Sequence, residues 1–189
     1  TQELRATAIQ LMQFVASEQR SHVTDEDVER FIEHTRQESV FSLFEQIATG
    51  SYERALDILH TLIRSGDGDP ILLLAGLLWQ FRRLVSLEEL LAEGHRWDDA
   101  VQQASVMGKT VAIRRKKDLG IYGEAIKRYP LHQSRSIIAA IGAYDILTRQ
   151  MGTDMHSLLL ERLLGRIMVD KGAEPPTLET LSFATDARF

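Results

Sequence analysis

Gly108-Lys109-Thr110 is the stretch of this chain closest to a chemical motif, because it resembles the end of a phosphate-binding loop. Such a loop needs another glycine five positions earlier, after a strand, so that backbone amides can ring the phosphates. Gln103 stands there, inside a segment with helical patterning, so Gly108 reads as a helix end followed by a fresh helix start. The six histidines are His22, His34, His60, His95, His132 and His156, and none is spaced from another histidine or a carboxylate as zinc proteases require. There is no cysteine, which excludes disulfides, thiolate metal sites and cysteine nucleophiles. The serines fall where helix caps or solvated faces need them, and no GxSxG elbow occurs. The sequence assigns no catalytic, cofactor-binding or metal-ligating residue, and no cofactor.

What remains is charge. Arg114-Arg115-Lys116-Lys117 is the strongest charged run. It could meet a phosphate backbone or an acidic partner. The competing reading is a solvated helix face, since four consecutive residues point around most of a helix. The run lies in residues 113–135, which hold seven Lys/Arg and two Asp/Glu in a chain of net charge −5. A mildly acidic body is the wrong sign for a dedicated nucleic-acid coat, which leaves this segment as the local exception. Asp145 and Arg149, four apart on one predicted helix, read as a structural pair.

The elements that would carry these residues are helical throughout, and no strand pattern is evident. Hydrophobic residues make up 44% of 189, enough for a buried core. Leu4, Ala8, Leu11, Met12 and Val15 mark a first helix, and Thr24 caps a second with Val28, Phe31 and Ile32 inward. Ser39 caps a third, with Val40, Leu43, Phe44 and Ile47 inward, ended by Gly50. Ser51 begins a fourth through Ile63. Asp69 and Pro70 pair as N-cap and first-turn proline for a fifth, which runs to about Glu93 and stops at Gly94. Its first half is apolar all round and is expected at the centre of the bundle. The unbroken apolar run Ile71–Trp79 falls well short of the roughly 20 residues of a membrane span, so no membrane association is expected. Helical signals continue over Trp97–Met107 and Thr110–Leu119, while Gly120–Pro130 is indistinct. Leu131–Met151 follows, with Ile137, Ile138, Ile141, Tyr144 and Ile146 as core candidates. Thr153 caps the last long helix, which carries Leu159, Leu163 and Ile167. A chain opening at Thr1 with a helical pattern already running by Leu4 suggests a piece of something longer.

Read in order, these elements resemble the DNA polymerase III delta subunit of the bacterial clamp loader. The carrying residues are Val40-Phe41, Gly50, Arg54-Ala55-Leu56, Asp69-Pro70 and Gln80-Phe81-Arg82, then Asp145 to Arg149 and Leu160 to Leu164. Thr24 to Ile32 is similar to a helix of the family's lid domain.

The resemblance implies an all-α fold, a collar-like helical bundle over 39–171. A short helical remnant of an AAA+ lid domain precedes it over 1–38, and a loose tail follows over 172–189. It implies a non-enzymatic assembly role in the cytoplasm, with the clamp-loader ATPase (tau/gamma) and delta-prime subunits as collar partners. The sliding clamp would be met only through an N-terminal domain absent here. The rival reading is a helical-repeat scaffold, since residues 50–63 look like a tetratricopeptide helix. Position 84, where a period of 34 would place the next glycine, holds Leu84.

Overall fold

The computed structural model describes residues 40–65 and 69–173, and these form an all-α bundle with one small hairpin. The expected helices of 1–38, the Ser39 cap, and all of the tail beyond Ala173 lie outside the described residues. The elements are α1 (40–49), α2 (Tyr52–Ser65), α3 (Pro70–Ala92) and α4 (Trp97–Gln103). Strands β1 (Ser105–Val106) and β2 (Lys109–Thr110) follow, then α5 (Lys116–Arg128), α6 (Leu131–Gln150), a 3-10 turn (Thr153–Met155) and α7 (His156–Met168).

Apolar spacing explains most of this. Val40, Leu43, Phe44 and Ile47 are all buried on α1, as the i, i+3, i+4, i+7 rule requires. Asp69 caps α3: its Oδ1 accepts from the backbone N–H of Ile71 at 2.8 Å and of Leu72 at 3.3 Å. Pro70 costs that first turn nothing, because its missing N–H would have had no helical partner. Gly94, at φ +92°, lies just beyond the end of α3.

α3 is the element on which the others pack, with α6 its most extensive neighbour. It has the length and apolarity of a membrane span, yet buries Gln80, Arg83 and Glu88 against protein. Its apolar first half is not buried all round, since Leu72 is exposed. α1 runs beside α3 in the same direction, with Val40 at Gly76 and Phe44 at Phe81. A Cβ on Gly76 would stand 2.6 Å from Val40 Cγ1, so glycine is what lets these helices approach. At the core, the Phe44 ring meets Phe81 edge-on at 5.5 Å and Tyr122 at 5.4 Å, and Phe81 meets Tyr129 at 5.9 Å. Aromatic pairs in such geometry add about 0.5–1.5 kcal/mol each beyond burial. α2 lies antiparallel to α7, with His60 at Glu161 and Tyr52 at Gly165.

Several expectations need correction. Helical patterning over Trp97–Met107 stops at Gln103; Ser105–Thr110 is a two-strand hairpin with Val106 paired to Lys109. Met107 and Gly108 both have positive φ, 52° and 77°, the backbone of a two-residue hairpin turn. Gly108 therefore ends no helix. The helix expected from Thr110 begins only at Lys116, and the indistinct stretch from Gly120 is its continuation to Arg128. The residues before Lys116 are extended because their polar groups bond sideways: Val111 N–H to Ala104 O at 2.7 Å, and Ile113 N–H to Val101 O at 2.8 Å. Ile146 is exposed rather than core. Thr153 caps no α-helix, since α7 is entered through a 3-10 turn.

Candidate interaction surface

The basic run straddles a boundary instead of lying on a helix. Arg114 and Arg115 precede α5, with Arg115 at its N-cap, and Lys116 and Lys117 open it. All four are exposed, but they are not equivalent. Arg115 Nε donates to Asp118 Oδ2 at 3.1 Å, and its guanidinium sits 5.7 Å from the centre of the Phe41 ring. Lys117 Nζ is 2.8 Å from Glu45 Oε2 on α1. These two cations fasten α5 to α1. Arg114 and Lys116 have no ion-pair partner among the described residues.

The segment before the run is pinned by α3. Arg83, almost fully buried, donates from Nε to Val111 O at 3.0 Å and from Nη2 to Ala112 O at 2.6 Å. The same guanidinium lies 5.1 Å from the Trp79 ring and 5.3 Å from the Tyr122 ring. A buried cation needs such compensation, because desolvation would otherwise cost several kcal/mol. Ser86 Oγ, one turn on, accepts from the Ser105 N–H at 2.9 Å. The strap 105–113 is thus held on its inner side, while Lys109, Thr110 and Arg114 are exposed. At its tip Met107 is 82% exposed.

A second junction holds the end of α1. Arg128 donates to Ala48 O at 3.2 Å and Thr49 O at 3.0 Å, and the Tyr129 hydroxyl donates to Ile47 O at 3.1 Å. These side chains satisfy carbonyls that a helix C-terminus leaves unpaired. Burial pushes the Tyr129 and Tyr122 phenols above their ordinary range, so both remain protonated donors. The Tyr122 hydroxyl donates to Gln80 Oε1. Lys171 lies 4.6 Å from the Tyr129 ring centre, its pKa lowered by burial and then by the nearby Arg128 charge.

Titratable groups elsewhere serve the fold. Glu88 is 7% exposed, and its carboxyl is pushed up to about 7 by burial, against the Ser134 hydroxyl and Arg135, which pull it down. His60 bonds Glu161 at 2.9 Å across α2 and α7, and His156 bonds Thr148 O at 3.0 Å. His22 and His34 lie outside the described residues. Asp145 and Arg149 pair through two hydrogen bonds of 3.0 and 3.1 Å. Among the described residues no three His, Asp or Glu side chains converge on a possible metal position. Among the described residues, a small gap is lined only by apolar side chains, including Leu43, Leu59, Leu77 and Leu163.

Sequence reasoning missed Arg83, Met107 and Lys109. Arg83 had a signal, a second arginine after Phe81 on a helix otherwise bound for the core. Met107-Gly108 had a weak one, because a glycine in second place suits a hairpin turn while methionine in first place does not.

Neither a curated protein nor a solved structure matches the chain. The family model described as DNA polymerase III delta subunit, C-terminal domain, matches residues 37–161, which takes in α1 to α6, the strap and the first half of α7. The chain belongs to that family, a non-catalytic part of the polymerase III clamp loader.

Proposed function

We propose that this chain is an assembly module of the delta subunit, with residues 39–171 as the unit that packs beside neighbouring subunits of the loader ring. Residues 1–38 are then the end of a lid domain. The partners are the ATPase (tau/gamma) and delta-prime subunits, met collar to collar in the cytoplasm. The module itself performs no catalysis, and contact with the sliding clamp belongs to a domain outside this sequence. The observation that carries the reading is the family match over the bundle itself, residues 37–161. The packing supports it: an aromatic core and side-chain bonds from α5 to α1 and α3, and from α3 to the strap, tie these elements into one packed body. Arg114 to Lys117 are the candidate contact residues for nucleic acid or an acidic neighbour. Mixing the chain with the collar region of its cognate ATPase subunit at micromolar concentration tests the reading. Co-elution in size-exclusion chromatography at the summed mass is expected; separate elution overturns it.

A further inference from the structure

One stripe of α3 is covered over only half its length. Leu72, Ala75, Trp79, Arg83 and Ser86 recur at three- and four-residue spacing and so share a face of the helix. The C-terminal half of that face carries the strap, through the Arg83 bonds to Val111 and Ala112 and the Ser86 bond to Ser105. The N-terminal half stays open. Leu72 is 45% exposed, Ala75 is exposed, and Trp79 is half-buried under the Arg83 guanidinium rather than packed into the core.

The chain's own path and charge say what could cover it. Val40, the first described residue of α1, packs at Gly76, beside this open half, so the residues before Val40 are delivered to it. Residues 24–38 hold Asp25, Glu26, Asp27, Glu29, Glu33 and Glu38 against Arg30 and Arg36, a net charge of −4. Among them Val28, Phe31 and Ile32 form one apolar stripe at helical spacing. The bundle offers the complement. The Arg115 guanidinium lies over Phe41, one residue into α1, and its sequence neighbours Arg114 and Lys116 are exposed, with no ion-pair partner among the described residues. Only twelve residues separate Val28 from Val40, so the tether holds the stripe near this face at an effective concentration in the millimolar range, roughly.

We propose that residues 24–38 fold back onto this face of the same molecule, with Val28, Phe31 and Ile32 against Leu72, Ala75 and Trp79 and their carboxylates beside Arg114 and Lys116. The acidic neighbour of those two cations is then the chain's own upstream segment. A second copy of the chain would have to reach the same face without the tether. Under the assembly reading, on which this consequence but not the contact itself rests, the docked segment fixes the direction in which the lid domain leaves the bundle.

The test uses the whole 189-residue chain, which has no cysteine, so an introduced pair is the only one present. Val28→Cys with Ala75→Cys is oxidised at low protein concentration beside Val28→Cys with Ile146→Cys, whose second site is exposed on α6. Bridging needs the two Cα atoms within about 7 Å. The first pair is expected to form a disulfide within one molecule about tenfold faster than the second, since docking and not the tether alone then sets the rate. Adding R114E/K116E to the first pair is expected to slow it about threefold at low salt, the size of an exposed ion-pair effect, and hardly at high salt. Separately, F31S/I32S on a Trp97→Phe background, where Trp79 is the only tryptophan, is expected to raise acrylamide quenching of Trp79 and leave the melting of the bundle unchanged. Equal rates for the two cysteine pairs, cross-linked dimers in place of monomers, a rate indifferent to R114E/K116E, or unchanged Trp79 quenching would each overturn the proposal. Co-elution with the ATPase collar is read independently of all these, so failure here is distinguishable from failure of the assembly reading.

Discussion

Replacing Glu88 with glutamine should stabilise the protein at alkaline pH and hardly alter it at acid pH. Glu88 lies between α3 and α6 with one carboxyl oxygen, Oε2, buried and unpartnered. Burial raises its pKa from 4.5 to about 7, with Glu89 adding a small like-charge contribution; Ser134 and Arg135 offset only part. Below pH 4.5 the carboxyl is protonated in both folded and unfolded chains and contributes no pH dependence. Between 4.5 and about 7 the unfolded chain releases the proton while the folded chain keeps it, so stability falls as pH rises. Above 7 the penalty is complete. Full burial would make it about 3 kcal/mol at about 1.4 kcal/mol per pKa unit. Water is close, because the neighbouring Glu89–Arg135 pair is solvent-exposed, so about 1–3 kcal/mol is the expected size. Glu88→Gln removes the ionisation and keeps the shape. Urea unfolding of both proteins at pH 5, 6, 7 and 8 gives the difference directly, with other titrating groups cancelling. The variant's advantage should grow between pH 5 and 8. A difference independent of pH would refute the reasoning.

Other expectations follow from the braces. Arg83→Met removes two hydrogen bonds to the strap and leaves the Val111 and Ala112 carbonyls without that partner, at a cost of about 2–4 kcal/mol. Amide exchange should accelerate first over residues 105–113, and uniform acceleration across the bundle would contradict a local brace. Gly50→Ala places a Cβ on the Arg128 guanidinium at a position of φ +80°, costing about 1–2 kcal/mol by chemical denaturation. Asp69→Ala should cost about 1 kcal/mol through loss of the α3 cap, and the same result from Asp69→Asn would contradict a capping role.

The long amphipathic helices were legible in the sequence because their burial follows a local period. α1 and α7 bury the residues that spacing selects, α2 and α6 bury part of theirs, and the Asp69-Pro70 cap marks the start of α3 within a residue. The hairpin was not legible, because strands of two residues carry no period of their own. They exist because Arg83 and Ser86, some twenty to thirty residues earlier in the chain, hold that backbone extended. The helical pattern of 97–107 was overridden by these tertiary bonds. Ile146 was misplaced for a related reason: periodicity identifies a stripe, but only the position of α3 decides which edge of that stripe is covered. The candidate surface was half legible. The four cations stand out as a run, whereas their division into bracing and free pairs depends on Glu45, Phe41 and Asp118 arriving from the fold.

The proposed delta position in a clamp-loader ring requires this bundle to enter the assembling complex. It is tested most directly by adding the chain in excess while the cognate loader reassembles from its subunits, and weighing the products by native mass spectrometry. The expected product is a ring in which one copy of this chain replaces the loader's own delta subunit. A complete loader assembled undisturbed, with the chain left free, would contradict it.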